Sequence, residues 1–151
     1  MTVLGRQSHW VWGIIPAVIS VLLLAGCGGG GVKEVKASLK EWSITPEVSQ
    51  IESGKVRFVV ANDGSEPHEL VIIRSDLSSD ALPVVDGKVD EERVDIIDEI
   101  EPFAAGTTEQ KTVDLEAGKY VLICNIVERV PGEPVESHYE KGMRTAFLVT
   151  D

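Results

Sequence analysis

The sequence contains very few cysteine, methionine, histidine and aromatic residues. Of its 151 residues, two are cysteine, two are methionine, three are histidine and 5% are aromatic. Two cysteines exclude a framework of several disulfides, and the roles inferred below for each cysteine leave no structural disulfide. Because sulfur and imidazole groups are so scarce, the position of each one is informative about any site that needs them.

Basic residues are also scarce. The chain has 14 lysines and arginines against 25 aspartates and glutamates, which gives a formal net charge of −11 at pH 7. A negative surface repels the phosphate backbone of nucleic acids and anionic lipid headgroups, so the composition argues against nucleic acid binding and against electrostatic attachment to a membrane. A charged partner should therefore be basic.

The first 26 residues have the pattern of an export signal. Arg6 lies in a short leader, and residues 14–25 form an apolar run broken only by Pro16 and Ser20. This run is shorter than the roughly 20 residues of a membrane span and is typical of the apolar region of a signal peptide. We therefore predict that residues 1–26 are a signal peptide that directs the chain out of the cytoplasm.

The four residues Leu24-Ala25-Gly26-Cys27 resemble the lipobox of bacterial lipoproteins, in which the cysteine is lipidated and becomes the mature N-terminus. The resemblance implies that Cys27 anchors the protein to the bacterial cell membrane, on its periplasmic or outer face, and that residues 27–34 form the anchor and a glycine linker. The mature chain would have a net charge of −12, since the leader contains one base and no acid. An uncleaved membrane helix from about Trp10 is the alternative, and it also places the domain outside the cytoplasm.

Residues 35–151 have room for one domain, and short β-type segments separated by Gly, Pro and Asn-Asp-Gly turns recur along them. Predicted strands cover residues 35–39, 42–44, 48–51, 56–61, 69–74, 111–115, 120–124 and 144–150. Residues 94–100 fit either a strand or a helical turn. This spacing predicts an all-β fold, an antiparallel β-sandwich of seven to eight strands. The acidic segment 75–93 is predicted to be an insertion on the surface, with no assigned conformation.

The sulfur and imidazole groups of the predicted domain lie at the ends of strands. Cys124 ends one predicted strand, and His138 and Met143 follow it in the next loop. Singly, the cysteine could be a buried apolar residue, the histidine a surface residue and the methionine core filler. Together with a second histidine they form the ligand set of a blue copper site, in which methionine is the weak axial ligand. His68 is the candidate for that second histidine, because His9 lies in the leader.

Here the chain resembles the cupredoxins, small blue copper proteins such as plastocyanin, amicyanin and azurin. The resemblance covers residues 35–151 and rests on three motifs: Asn62-x-Gly64-x-x-x-His68, Gly118-Lys119-Tyr120-x-x-x-Cys124 and His138-x-x-x-Gly142-Met143. It implies a Greek-key β-sandwich that binds one type 1 copper ion through His68, Cys124, His138 and Met143. It also implies that electrons enter and leave through an exposed edge of His138.

The chain departs from the family pattern at two places. Thirteen residues separate Cys124 from His138, many more than in the small electron carriers. Glu69 also replaces the Asn or Ser that many members have after the first histidine, so we expect the side-chain tether between the ligand loops to be lost. Contacts of this kind orient the ligands and tune the metal.

The resemblance implies a membrane-anchored, extracytoplasmic carrier of single electrons that is not an enzyme. Its partners would be redox proteins such as a c-type cytochrome or a terminal oxidase or reductase. Two alternatives remain open from the sequence. The protein could be a copper carrier or store that delivers metal to a cuproenzyme, or an adhesive or structural sandwich with a vestigial site.

Overall fold

The computed structural model describes residues 31–151, which form a β-sandwich of two main sheets. The predicted signal peptide and Cys27 lie outside the described residues. The domain begins with β1 (Lys33–Lys40), two residues before the predicted boundary. Within the described residues, no helix is long and apolar enough to cross a membrane.

The four-stranded sheet has the order β2 (Ser43–Pro46), β1, β4 (Gly54–Asn62) and β9 (Thr108–Leu115). Side chains alternate between core and solvent along β1 and β4, as the period of two predicts. The inward residues of these two strands are Val35, Ala37, Leu39, Val56, Phe58 and Val60. This sheet therefore has one apolar face, which forms half of the core.

The five-stranded sheet has the order β3 (Gln50–Glu52), β13 (Arg144–Thr150), β10 (Gly118–Ile123), β5 (His68–Arg74) and β8 (Asp95–Phe103). Its central strands are apolar on both faces. In β5, Leu70 and Ile72 face the four-stranded sheet, whereas Val71 and Ile73 belong to a second apolar cluster on the opposite face. The sheet therefore needs cover on its outer face as well.

The all-β sandwich is confirmed, with two differences in detail. The two sheets contain nine strands because the ambiguous segment 94–100 is part of β8, which pairs with β5. Two pairings, β1 with β4 and β3 with β13, are parallel rather than antiparallel. Parallel pairing is possible because the chain crosses to the other sheet between the paired strands.

The acidic segment 75–93 has more structure than the sequence indicated. It contains the hairpin of β6 (Val84–Val85) and β7 (Lys88–Val89), followed by a 3₁₀ turn at Glu91–Arg93. Leu82 and Val89 are buried against the outer face of the five-stranded sheet. The segment lies on the surface, as expected, and these two residues attach it by covering the second apolar face.

The long segment between Cys124 and His138 is also ordered. It forms a short hairpin of β11 (Val127–Glu128) and β12 (Glu136–Ser137), and it leads into the single helical turn α1 (His138–Lys141). The Ser137 side chain caps α1 by accepting a hydrogen bond from the Glu140 amide at 3.1 Å. The turn thus starts at the histidine that the sequence singled out.

Candidate metal centre

Three predicted ligands meet at one end of the sandwich. His68 is the first residue of β5, and Cys124 directly follows β10. These strands are antiparallel neighbours, with Val71 opposite Ile123, so the start of one adjoins the end of the other. His138 reaches the same place because its amide donates a hydrogen bond to the Ile126 carbonyl at 3.0 Å.

The donor atoms of these three residues converge. Cys124 Sγ lies 3.4 Å from His138 Nδ1 and 4.0 Å from His68 Nδ1. The two Nδ1 atoms are 3.3 Å apart, and all three residues have no exposed surface. One thiol and two imidazoles that point the same ring nitrogen at a common centre fit copper, whereas calcium and magnesium prefer oxygen ligands.

Burial controls the charge of these groups. Desolvation raises the pKa of the Cys124 thiol to about 11, so the thiol is protonated in the metal-free protein at neutral pH. Desolvation, followed by the nearby His68, lowers the pKa of His138 and keeps that imidazole neutral. A metal ion must therefore displace the thiol proton, and its affinity should increase as the pH rises.

Met143 lies in the same buried region. Its amide donates a hydrogen bond to the His138 carbonyl at 2.9 Å, and its carbonyl accepts one from the Cys124 amide at 3.0 Å. The turn before it needs Gly142, which has a φ of 126° and leaves room for the Trp42 carbonyl, only 2.9 Å from where a Cβ would lie. The backbone thus places Met143 beside two predicted ligands, and its role as axial ligand stays a prediction.

The expected loss of the tether at Glu69 is corrected by the structure. Glu69 Oε1 accepts a hydrogen bond from the Asn125 amide at 2.8 Å. Since Glu69 follows His68 and Asn125 follows Cys124, this bond links the two ligand segments directly. The longer glutamate side chain therefore makes the connection that we expected only from Asn or Ser.

The expectation of an exposed His138 edge was also wrong. The His138 side chain is fully buried, and its ring packs edge-on against the half-buried Trp42 with centroids 5.2 Å apart. The ammonium group of Lys141 in turn lies 4.0 Å from the Trp42 ring centroid. Trp42 comes from the turn between β1 and β2, so the four-stranded sheet supplies part of the cover over this ligand.

Hydrogen bonds join segment 75–93 to the residues around the ligands. Asn125 Oδ1 accepts from the Val89 amide at 2.7 Å, and Asn125 Nδ2 donates to the Val89 carbonyl at 3.1 Å. The Tyr139 hydroxyl donates to the Ser79 carbonyl at 2.7 Å and accepts from the Leu82 amide at 3.2 Å. The sequence analysis missed Asn125 and Tyr139, although each directly follows a predicted ligand.

Carboxylates face the outer nitrogens of both imidazoles. Glu41 Oε1 lies 3.3 Å from His68 Nε2, and Glu66 Oε2 lies 4.0 Å from His138 Nε2. Desolvation raises the pKa of Glu66, and the acidic Glu128 and Glu136 add to this effect. Sequence analysis missed both carboxylates, since neither belongs to a ligand motif.

No protein-family model matches the sequence, and the search of curated proteins finds no match. Solved structures of cupredoxins are similar to the sandwich. Auracyanin from Roseiflexus castenholzii is 19% identical with a TM-score of 0.55, and the match covers 81% of this chain and all of auracyanin. The "blue" copper protein auracyanin A from Chloroflexus aurantiacus is 16% identical with a TM-score of 0.52 over 80% of this chain and all of that protein. Rusticyanin from Thiobacillus ferrooxidans is 19% identical with a TM-score of 0.50 over 78% and 76% of the two chains.

Proposed function

We propose that this chain, a β-sandwich with the cupredoxin fold that its motifs predicted, is an extracytoplasmic type 1 copper protein that carries single electrons. The observation that carries the proposal is the convergence of Cys124 Sγ with the Nδ1 atoms of His68 and His138 at a fully buried point. Copper bound there would supply a one-electron couple between its +1 and +2 states. Cys124 would provide the thiolate, the two histidines would complete the trigonal plane, and Met143 would be the weak axial ligand.

The scaffold around these residues supports fast electron transfer. Three hydrogen bonds fix the segments that carry the ligands. The Cys124 amide donates to the Met143 carbonyl, and the Met143 amide donates to the His138 carbonyl. The Asn125 amide donates to the Glu69 carboxylate. Ligands that are held in this way move little when the charge at their centre changes, so little reorganisation opposes the transfer. The proposal assigns no catalytic residues, since the site would exchange electrons and transform no substrate.

The charge of the protein favours a basic redox partner. The net charge of the chain is −11. Four glutamates also lie at the end of the sandwich that holds the ligands, where the charges of Glu41, Glu128 and Glu136 act on Glu66. A c-type cytochrome fits this requirement, as does a basic docking surface on a terminal oxidase or reductase. Opposite charges steer two proteins together, and salt screens this attraction over about 10 Å at 0.1 M ionic strength.

We therefore expect the copper-loaded protein to be reduced and reoxidised repeatedly by a basic c-type cytochrome without loss of metal. The second-order rate should fall at least about tenfold between low and physiological ionic strength, because steering depends on unscreened charge. Stopped-flow absorbance measures the rate, and metal analysis after many cycles measures retention. Stoichiometric transfer of copper to a metal-free oxidase site, with negligible electron exchange, would instead show a copper carrier.

The proposed localisation depends on the N-terminal motif, which lies outside the described residues. A lipid on Cys27 would keep the domain close to the outer surface of the cell membrane, since the linker before β1 is short. Stable anchoring needs more than one acyl chain, in line with the multiple acylation that the lipobox resemblance implies.

Cys27→Ser should release the protein from the membrane or leave the precursor uncleaved, because lipid attachment requires the thiol. Fractionation and the mass of the N-terminal peptide test this outcome. Normal processing together with full membrane retention would identify an uncleaved membrane helix.

A further inference from the structure

The carboxylate of Glu41 lies at the outer nitrogen of the buried His68. We propose that Glu41 is a positioning residue of the metal centre, which orients His68 and stabilises the oxidised, more highly charged state of the metal. This inference rests on the proposed copper function. It assigns a role in setting the reduction potential to a residue outside the ligand motifs.

The contact joins the two sheets of the sandwich. Glu41 lies in the turn between β1 and β2, whereas His68 begins β5 in the opposite sheet. Glu41 Oε1 lies 3.3 Å from His68 Nε2, outside hydrogen-bond geometry, and that nitrogen has no hydrogen-bond partner among residues 31–151. A fully buried nitrogen without a hydrogen-bond partner is costly unless a charge or acceptor lies beside it, and the Glu41 carboxylate is the group in that position.

The backbone holds the Glu41 carboxylate in this position. Its Oε1 atom accepts hydrogen bonds from the Ser65 amide at 2.7 Å and from the Glu66 amide at 3.0 Å. Amides that donate to a carboxylate in this way stabilise its charged form. The side chain is therefore a fixed negative charge at neutral pH.

Gly64 leaves the space that this carboxylate occupies. A Cβ at residue 64 would lie 2.6 Å from Glu41 Oε1 and 2.9 Å from His68 Nε2. The His68 side chain is fully buried whereas that of Glu41 is 23% exposed, so the Glu41 carboxylate is the neighbour that would withdraw towards solvent. Asn62 keeps the loop in this shape, since its side chain accepts from the Gly64 amide at 3.1 Å and donates to the Glu66 carbonyl at 2.8 Å.

The expected effect on the reduction potential follows from the two nitrogens of the His68 ring, of which Nε2 faces Glu41 and Nδ1 faces Cys124. A carboxylate at Nε2 favours the tautomer with its proton on that atom, which leaves the Nδ1 lone pair free to face Cys124 and makes it more basic. A negative charge in this partly buried place also stabilises Cu(II) more than Cu(I), because the two differ by one unit of positive charge. Glu41 should therefore lower the reduction potential.

The test is Glu41→Gln in the full-length protein, which removes the charge and keeps the size of the side chain. We expect the Cu(II) affinity to fall at least about tenfold, as when other partners of metal-bound histidines are removed. If Cu(I) affinity stays constant, the potential rises by about 59 mV for each tenfold change in a one-electron couple. Voltammetry and chelator competition in both oxidation states measure these quantities.

Glu52→Gln is the matched control. Glu52 is an exposed glutamate at the end of β3, where it forms an ion pair with Lys33. Glu52 pairs with Thr150, at the end of β13 that is farthest from Met143. Glu52→Gln therefore changes the net charge by the same amount as Glu41→Gln, but at a distance from the site. It should leave the potential and both affinities unchanged.

Gly64→Ala provides a second variant that retains every charge. It should displace the Glu41 carboxylate and shift the potential in the same direction as Glu41→Gln. The inference is wrong if both variants bind copper with the blue colour, keep the wild-type potential and Cu(II) affinity, and differ from wild type only in a lower free energy of unfolding. Glu41 would then serve only to hold the loop at residues 64–66 in place. A wild-type protein that binds no copper would instead disprove the proposed function.

Discussion

Cys124→Ser should abolish the intense blue colour that the purified wild-type protein develops with one equivalent of Cu(II). The colour comes from charge transfer between a thiolate and copper, and an alcohol cannot replace the soft, covalent sulfur ligand. Cys124 is the cysteine at which both Nδ1 atoms converge, so no other side chain at this point can take over its role. The visible absorption spectrum during copper titration measures the effect.

Two controls make the loss of colour specific. Cys27→Ser removes the other cysteine of the chain and should retain the full absorption, since Cys27 is not one of the predicted ligands. Circular dichroism of metal-free Cys124→Ser should show the native β-sandwich, because a buried hydroxyl in place of the thiol costs only about 1–3 kcal/mol. A colourless wild-type protein with stoichiometric Cu(II) would contradict the assignment of a type 1 site.

Asn125→Ala should lower the free energy of unfolding by about 2–6 kcal/mol, since each of two buried polar groups left without a partner costs about 1–3 kcal/mol. The amide and the carbonyl of Val89 would both lose their partner, the buried Asn125 side chain. Urea unfolding of the metal-free protein measures this change. The same substitution detaches segment 75–93 from the residue after Cys124, so copper should also be released faster to a chelator.

Glu133→Ala is the matched control for Asn125→Ala. Glu133 lies in the same segment between Cys124 and His138, but its side chain is exposed. Its substitution should change the free energy of unfolding by less than about 0.5 kcal/mol, as is usual for such surface positions. A similarly small change for Asn125→Ala would show that segment 75–93 does not hold the metal centre in place.

Local pattern determined much of the fold. The alternation of Val35, Ala37 and Leu39 with polar residues predicted β1, and the β-branched run at 56–61 predicted β4. A strand needs only a period of two and a turn at each end, and both are properties of neighbouring residues. The apolar runs of β5 and β10 were predicted for the same reason, without indicating what covers their second face.

The sequence also determined which residues could form a soft metal site. The domain has one cysteine, one methionine and two histidines, so elimination left a single set of candidates, and the motif resemblance named the same four residues. The structure brings Cys124, His68 and His138 together. Scarcity made this part of the site predictable, since residues 35–151 contain no second set of sulfur and imidazole donors.

Tertiary structure alone decided how the site is surrounded. Trp42 packs against His138 and helps to bury it. A hydrogen bond between Glu69 and Asn125 links the two ligand segments. The negative charge beside His68 comes from Glu41. These pairs are 27 to 96 residues apart in the sequence, and no periodic pattern connects them. Residue types and short spacings specify strands and donor atoms, whereas the partners that tune those atoms are set by the packing of two sheets, a property of the whole chain.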